Sequence, residues 1–200
     1  MYSVHNWIQP VPGLDKSTCD KIRMLAEDKW TKSRIADGKS PAEEIVPKKN
    51  VRTSEIVWIQ NQWVYDTIWS YMAEANIKAG WKYDIESAED MQISRYKKGG
   101  FYNFHKDGKN DHLSVYTENN PIILGRVRKL SMTVLLNDDY DGGEFQFASY
   151  KKQKCVISTP EFNKTGSIIV FPSDMEHRVA PVTKGIRYSL VVWFLGPPFR

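Results

Sequence analysis

The 200-residue chain is 41% hydrophobic, 26% charged and 12% aromatic, which excludes disordered and fibrous classes and suits one domain with a single core. Its net charge of +4 is a mild basicity that serves solubility, and no run approaches the roughly 20 apolar residues of a membrane-spanning helix. The opening MYSVHNWIQPVPG lacks the basic and apolar regions of a secretory leader, and Cys19 and Cys155 stand far apart without CxxC or Cys/His spacing, so a reducing, cytoplasmic setting is expected without disulfides or structural zinc.

Taken in chain order, Asp15–Lys29 is the first predicted helix, with Cys19, Ile22, Leu25 and Ala26 at helical spacing and Asp15 or Ser17 as N-cap. Residues 31–50 are polar, rich in charge and weakly periodic, and read as a long loop. A second helix is predicted over Asn61–Lys78, where Val64, Ile68, Tyr71, Met72 and Ala75 form one apolar face, Asn61 is the candidate N-cap and Gly80 follows the end. From Met91 onward the pattern changes to strands: Met91–Tyr96, Phe101–His105, Arg128–Asn137, Gly143–Phe147, Ser167–Phe171 and Ile186–Leu195. Turn signals at Lys98-Gly99-Gly100, Asp141-Gly142-Gly143 and Thr183-Lys184-Gly185 punctuate them. Helices followed by a run of short strands imply an α+β domain, with the helices packed on one face of a β-sandwich or barrel. Residues 108–127 form a connection too long for a compact domain unless it serves function, so they and 31–50 are candidate lids.

Chemistry concentrates at His105-Lys106-Asp107 and at His177, 70 residues beyond Asp107. In extended chain, residues i and i+2 point the same way, so His105 and Asp107 can converge on one ion with His177 as third ligand. Two histidines and one carboxylate leave coordination positions open, which suits Fe(II) and oxygen chemistry, whereas structural zinc takes four closed ligands. His112 in the long connection reads as a spare histidine, and His5 carries no signal. Gly142 and Gly143 read as a tight turn requiring positive φ.

The surrounding blocks occur in a fixed order. Tyr96-Lys97-Lys98-Gly99-Gly100-Phe101-Tyr102-Asn103-Phe104 leads into His105. Leu135-Leu136-Asn137 precedes Tyr140-Asp141-Gly142-Gly143-Glu144-Phe145. Gly166-Ser167-Ile168-Ile169-Val170-Phe171-Pro172 precedes His177-Arg178-Val179-Ala180-Pro181-Val182, and Gly185-Ile186-Arg187-Tyr188-Ser189-Leu190 ends at Trp193. Residues 91–195 thereby resemble the prolyl 4-hydroxylase-like branch of the iron/2-oxoglutarate dioxygenases, including the bacterial hydroxylases named for prolyl and lysyl hydroxylase similarity. Val51-Arg52-Thr53-Ser54 is similar to a segment that precedes this core in prolyl 4-hydroxylases.

The resemblance implies one dioxygenase domain over residues 1–200, with residues 1–90 as helical support and substrate-side loop. Residues 91–200 would form the catalytic core, a jelly-roll double-stranded β-helix. It implies Fe(II) held by His105, Asp107 and His177, with 2-oxoglutarate as co-substrate, O2 as oxidant and ascorbate as accessory reductant. Arg187 lies ten residues after His177. If the flanking segments pair as a hairpin, its guanidinium reaches the pocket and holds the distal carboxylate of 2-oxoglutarate in a fork. Tyr96 matches a co-substrate contact, and Tyr102, Arg128 and Trp193 match substrate-side groups. Leu135 and Phe145 depart from relatives that carry tyrosine and threonine there, which makes that side of the pocket more apolar. The implied activity is hydroxylation of an unactivated C–H bond, foremost in a prolyl residue of a peptide or protein. Hydroxylation of a free amino acid or another peptidyl target is the nearest alternative. Oxidative demethylation of nucleic acid is disfavoured because no dense basic stripe interleaved with aromatics is present. An inactive binding module is disfavoured because His105, Asp107, His177 and Arg187 stand together.

Overall fold

The computed structural model describes residues 7, 9, 13–33, 51–108, 114–151 and 154–199. The chain begins with α1 (Lys16–Met24), β1 (Thr31–Lys32), β2 (Arg52–Thr53), β3 (Glu55–Ile59) and α2 (Gln62–Lys78). It continues through β4 (Ser87–Ala88), β5 (Met91–Tyr96), β6 (Phe101–His105), β7 (Val127–Leu135), β8 (Asp141–Gly142) and β9 (Phe145–Lys151). The last elements are β10 (Lys154–Ser158), β11 (Ile168–Pro172), β12 (His177–Val179), β13 (Val182–Lys184) and β14 (Arg187–Gly196).

Every pairing is antiparallel. A seven-stranded sheet runs β1-β3-β5-β14-β7-β11, with β4 also on β14, and a five-stranded sheet runs β10-β9-β12-β6-β2. A short β13–β8 ladder lies apart. The period-2 alternation of the strands decides what each face meets. Met132 and Val134 of β7, Leu190, Val192 and Phe194 of β14, and Met91 and Ile93 of β5 turn outward against the helices. There they join Cys19 and Ile22 of α1 and Val64, Ile68, Met72 and Ala75 of α2 in one core. A second core lies between the sheets, where Tyr96, Leu135, Ile169 and Phe171 of the larger meet Phe145, Phe147 and Val179 of the smaller. The result is the expected α+β double-stranded β-helix with helices on one face. No helix of the described residues is long and apolar enough to cross a membrane.

Local details differ from the sequence reading for identifiable reasons. Asp15 caps α1, its Oδ1 accepting from Thr18 N at 2.9 Å. The regular helix stops at Met24, however, and the chain turns through Asp28 at φ 59° to reach β1. The strand expected from Gly143 begins instead at Phe145, because Gly142 and Gly143 hold φ of 71° and 67° in the turn before it. Asn61 makes no side-chain cap bond to α2. Within the region read as loop, Thr31–Lys32 adds an edge strand to β3, and residues 34–50 lie outside those described.

Of the other long connection, residues 109–113, with His112, also lie outside the described set, as does His5. Residues 114–126 double back on themselves, Tyr116 N donating to Arg126 O and Gly125 N to Tyr116 O, each at 2.9 Å. Three bonds tie this turn to the segment around β4: Arg126 to Glu86 at 2.6 Å, Ser87 Oγ to Ile122 O at 2.7 Å, and Tyr116 Oη to Glu89 Oε1 at 2.8 Å.

Candidate functional site

The smaller sheet brings the metal-ligating residues together. His105 ends β6 and His177 opens β12, and the two are direct cross-strand partners, which places their side chains on one face. Asp107 follows two residues beyond His105, held by its own amide, which donates to Ser173 O at 2.9 Å. One ligand atom from each of the three side chains lies within 4.8 Å of the others, the one such group among the described residues. His105 Nε2 is 3.7 Å from Asp107 Oδ1, and His177 Nε2 is 3.6 Å from Asp107 Oδ2.

Orientation of both imidazoles is set by the backbone. Nδ1 of His105 lies 2.8 Å from Asn103 O and Nδ1 of His177 lies 2.9 Å from Met175 O. Each Nδ1 therefore carries the proton and donates it, which leaves each Nε2 lone pair facing the shared point. Burial, reinforced by the neighbouring His177 ring, pushes the His105 pKa down to about 3, so this ring is the neutral ligand that a metal requires. For Asp107 burial opposes ionisation. His177, His105, Arg128 and the Ser131 hydroxyl together outweigh it and hold the carboxyl below its ordinary range. Ser131 Oγ donates to Asp107 Oδ2 at 2.7 Å and lies 3.0 Å from Ser173 Oγ. Ser131→Ala is expected to weaken iron binding about tenfold, by releasing this ligand's orientation, while the denaturation midpoint stays nearly unchanged. Iron titration beside chemical denaturation checks both halves.

Arg187 opens β14 on the opposite sheet, paired directly with Tyr96 of β5. The segments flanking Thr183–Gly185 do not form the hairpin considered from sequence. β12 belongs to the smaller sheet, β13 pairs with β8, and the chain then crosses to the larger sheet. Arg187 reaches the pocket from the facing wall. It is fully buried, Nη1 donates to Ser189 Oγ at 3.1 Å, and Nε and Nη2 have no hydrogen-bond partner among the described residues. Its guanidinium carbon stands 5.7 Å from the Tyr96 ring centroid, and burial raises the pKa of the adjacent Tyr140 phenol against the opposing charge of Arg187. Room for the arginine depends on Gly143, where a Cβ would come within 2.9 Å of Arg187 Cδ. The second glycine of the turn thus serves the pocket as well as the backbone.

Triad and Arg187 line one cavity of about 420 Å³, together with Tyr96, Tyr102, Arg128 and Trp193. Tyr102 stacks on His105 with centroids 3.5 Å apart, and burial pushes its pKa up to about 12. Arg128 reaches the cavity because β7 carries a bulge opposite Phe194/Leu195, which shifts the alternation that would have aligned it with Leu130 and Met132. Its Nε and Nη2 both donate to Glu89 at 2.6 Å, and its guanidinium covers the Trp193 ring at 4.1 Å. One face of Trp193 is therefore occupied, and its buried Nε1 has no hydrogen-bond partner among the described residues.

Sequence reasoning did not single out Arg52, Trp58, Glu89, Tyr116 or Ser131, all placed here on or beside the cavity. A serine in the apolar run Leu130–Leu136 is a buried-polar signal that was available. Arg52 belongs to the Val51-Arg52-Thr53-Ser54 segment. Glu89, Trp58 and Tyr116 gain meaning only from the chains folded against them.

A family model described as the 2OG-Fe(II) oxygenase superfamily matches residues 91–195. The chain belongs to that superfamily. A PKHD-type hydroxylase of Xylella fastidiosa (strain M12) is 36% identical over 105 residues, 51% of this chain and 42% of the relative. The chain thus aligns with less than half the length of such relatives. In fold it is similar to a Pseudomonas putida prolyl-4-hydroxylase, with TM-score 0.63 and 21% identity over 95% of this chain and 92% of that one. A Trichoplax adhaerens prolyl hydroxylase, solved with a hypoxia inducible factor peptide fragment, gives TM-score 0.68 and 16% identity over 94% and 83%.

The residues present fit the family's cofactors. Two imidazoles and a carboxylate facing an open cavity suit Fe(II). The buried Arg187 fork, with two nitrogens unpartnered, suits the distal carboxylate of 2-oxoglutarate.

Proposed function

We propose that the chain is an Fe(II)- and 2-oxoglutarate-dependent hydroxylase acting on a prolyl residue within a peptide or protein. The observation that carries the reading is the sharing of one cavity by an open metal triad and a buried arginine fork, two of whose nitrogens have no hydrogen-bond partner among the described residues. When bound, iron and 2-oxoglutarate supply the oxidising chemistry that couples decarboxylation to succinate and CO2 with hydroxylation of an unactivated C–H bond. His105, Asp107 and His177 hold the metal, and Arg187, beside Tyr96 and Ser189, binds and orients the co-substrate. Phe145 and Phe171 pack against the His177 ring at 5.4 and 4.7 Å and keep water from that flank.

The substrate side supports a peptidyl proline. An X–Pro amide has no N–H and offers only carbonyl acceptors, and the cavity lining offers the Nη1 groups of Arg52 and Arg128, whose Nε and Nη2 are bonded to Ser54, Ser94 and Glu89, beside the aromatic walls Tyr102, Trp58 and Trp193. A free amino acid would bring an ammonium, whose natural partner Glu89 is already forked by Arg128. Incubation with iron, ascorbate and 2-oxoglutarate is expected to add one oxygen to proline in peptides, detected by mass spectrometry, with little modification of free proline. Modification of free proline alone would overturn the peptidyl assignment.

A further inference from the structure

A second cavity is lined by residues next in sequence to some that line the first. It is a groove of about 500 Å³ between the start of α2 and the tied turn 114–126, lined by Tyr65, Asp66, Trp69, Glu86, Asp90 and Ile122. The two cavities share no lining residue but draw on neighbouring positions of the same two segments. Trp58 and Glu89 line the metal pocket, whereas Gln60 and Asp90 line the groove. Trp58 and Gln60 lie about 7 Å apart in extended backbone, and Tyr65 Oη donates to the Glu89 carbonyl at 2.9 Å, across the divide. An extended peptide leaving the metal pocket would reach the groove within a few residues.

The chemistry of the groove selects its occupant. Glu86 is neutralised by Arg126 at 2.6 Å. Asp66 and Asp90 are met by the neutral amides of Gln62 and Gln60, each at 2.9 Å, and neither joins an ion pair among the described residues. Two carboxylates without an ion pair among the described residues thus line the groove with Trp69, 37% exposed, on a chain of net charge +4. The carboxylates belong to no group of three or more metal-ligating side chains: among the described residues only His105, Asp107 and His177 form one. A long side chain with an apolar stem and a cationic end fits instead, its stem on Ile122 and Trp69 and its charge between the carboxylates and the ring face.

We propose that this groove is a subsite for a lysine or arginine of the substrate, a few residues from the hydroxylated position. The proposal rests on the peptidyl reading above and adds a sequence preference to it. It is tested with fluorescein-labelled nonapeptides on a Gly/Ala/Ser background, with a central proline and a lysine or a glutamine placed in turn at each other position. Binding is measured by anisotropy under anaerobic Fe(II) and 2-oxoglutarate, and hydroxylation in parallel. One or two lysine positions are expected to bind about tenfold tighter than their glutamine counterparts. Asp66→Asn combined with Asp90→Asn, and separately Trp69→Leu, are expected to erase that advantage through KM. Uncoupled 2-oxoglutarate turnover stays at the wild-type rate, which also reports that the variants are folded. Equal binding of lysine and glutamine peptides at every position, or a lysine advantage that survives in the double variant, overturns the subsite. A lysine advantage in binding without any hydroxylated proline overturns the prolyl reading and leaves the subsite standing.

Discussion

Asp107→Ala is expected to abolish succinate formation, coupled and uncoupled, while the protein stays folded. Asp107 is the one anionic ligand of the triad, and it lies between the two histidines at 3.7 and 3.6 Å from their Nε2 atoms. Alanine leaves two neutral imidazoles, which provide neither the charge nor the facial geometry for Fe(II). The cost to the fold is small by comparison. Ser131 loses one acceptor but keeps Ser173 at 3.0 Å, and the Asp107 amide bond to Ser173 O is backbone and survives. A stability change of about 1 kcal/mol in either direction is expected, since removing one buried anion relieves desolvation as well as breaking a hydrogen bond. His105→Ala is expected to behave alike for activity. The measurements are succinate release at saturating iron and the denaturation midpoint of each variant. Activity retained by both variants would remove the metal assignment.

The parts of the site that were legible in sequence are those fixed by short-range geometry. His105 and Asp107 lie two apart in extended chain, so their common direction follows from the pleat alone. The Gly142-Gly143 turn was legible for the same reason, since positive φ is a local demand. Helix α2 was legible because its apolar face repeats over enough turns to outvote any single position, whereas α1 was over-extended because nothing in the pattern marked Asp28 as the residue that turns the chain. What local pattern could not convey was the pairing of distant strands. The His177–His105 partnership and the approach of Arg187 from the facing sheet are cross-strand facts, and the second replaced a hairpin that looked natural over ten residues of sequence. Arg128 shows the limit most clearly. Strict alternation would have aimed it at the helices, and only the bulge in β7 turns it to the cavity and to Glu89. Strand β3 was overlooked because Glu55–Ile59 is short and its partner β5 lies more than thirty residues on.

Arg187→Met is expected to separate co-substrate binding from stability, moving the two in opposite directions. In the wild type a guanidinium with no exposed surface donates from Nη1 to Ser189 Oγ and lies against the Tyr140 phenol, with the Tyr96 and Phe162 rings at 5.7 and 6.0 Å. A buried charge with two unpartnered nitrogens is a burden on the protein without co-substrate, and methionine of similar length removes it. The variant's unfolding free energy without 2-oxoglutarate is expected to rise by about 1–3 kcal/mol. With 2-oxoglutarate the order reverses. Two charge-assisted bonds from the fork, at about 1.5–3 kcal/mol each, correspond to a loss of affinity of roughly 100-fold or more. KM for 2-oxoglutarate is expected to rise accordingly, with a smaller effect on kcat, because the distal carboxylate is remote from the bonds that change. Thermal unfolding with and without 2-oxoglutarate reads both halves at once, since a ligand stabilises in proportion to the logarithm of its occupancy. A variant that keeps the wild-type KM and the wild-type thermal shift would show that the carboxylate binds elsewhere. The fully buried, half-satisfied arginine would then need another anion to account for its place between the two sheets.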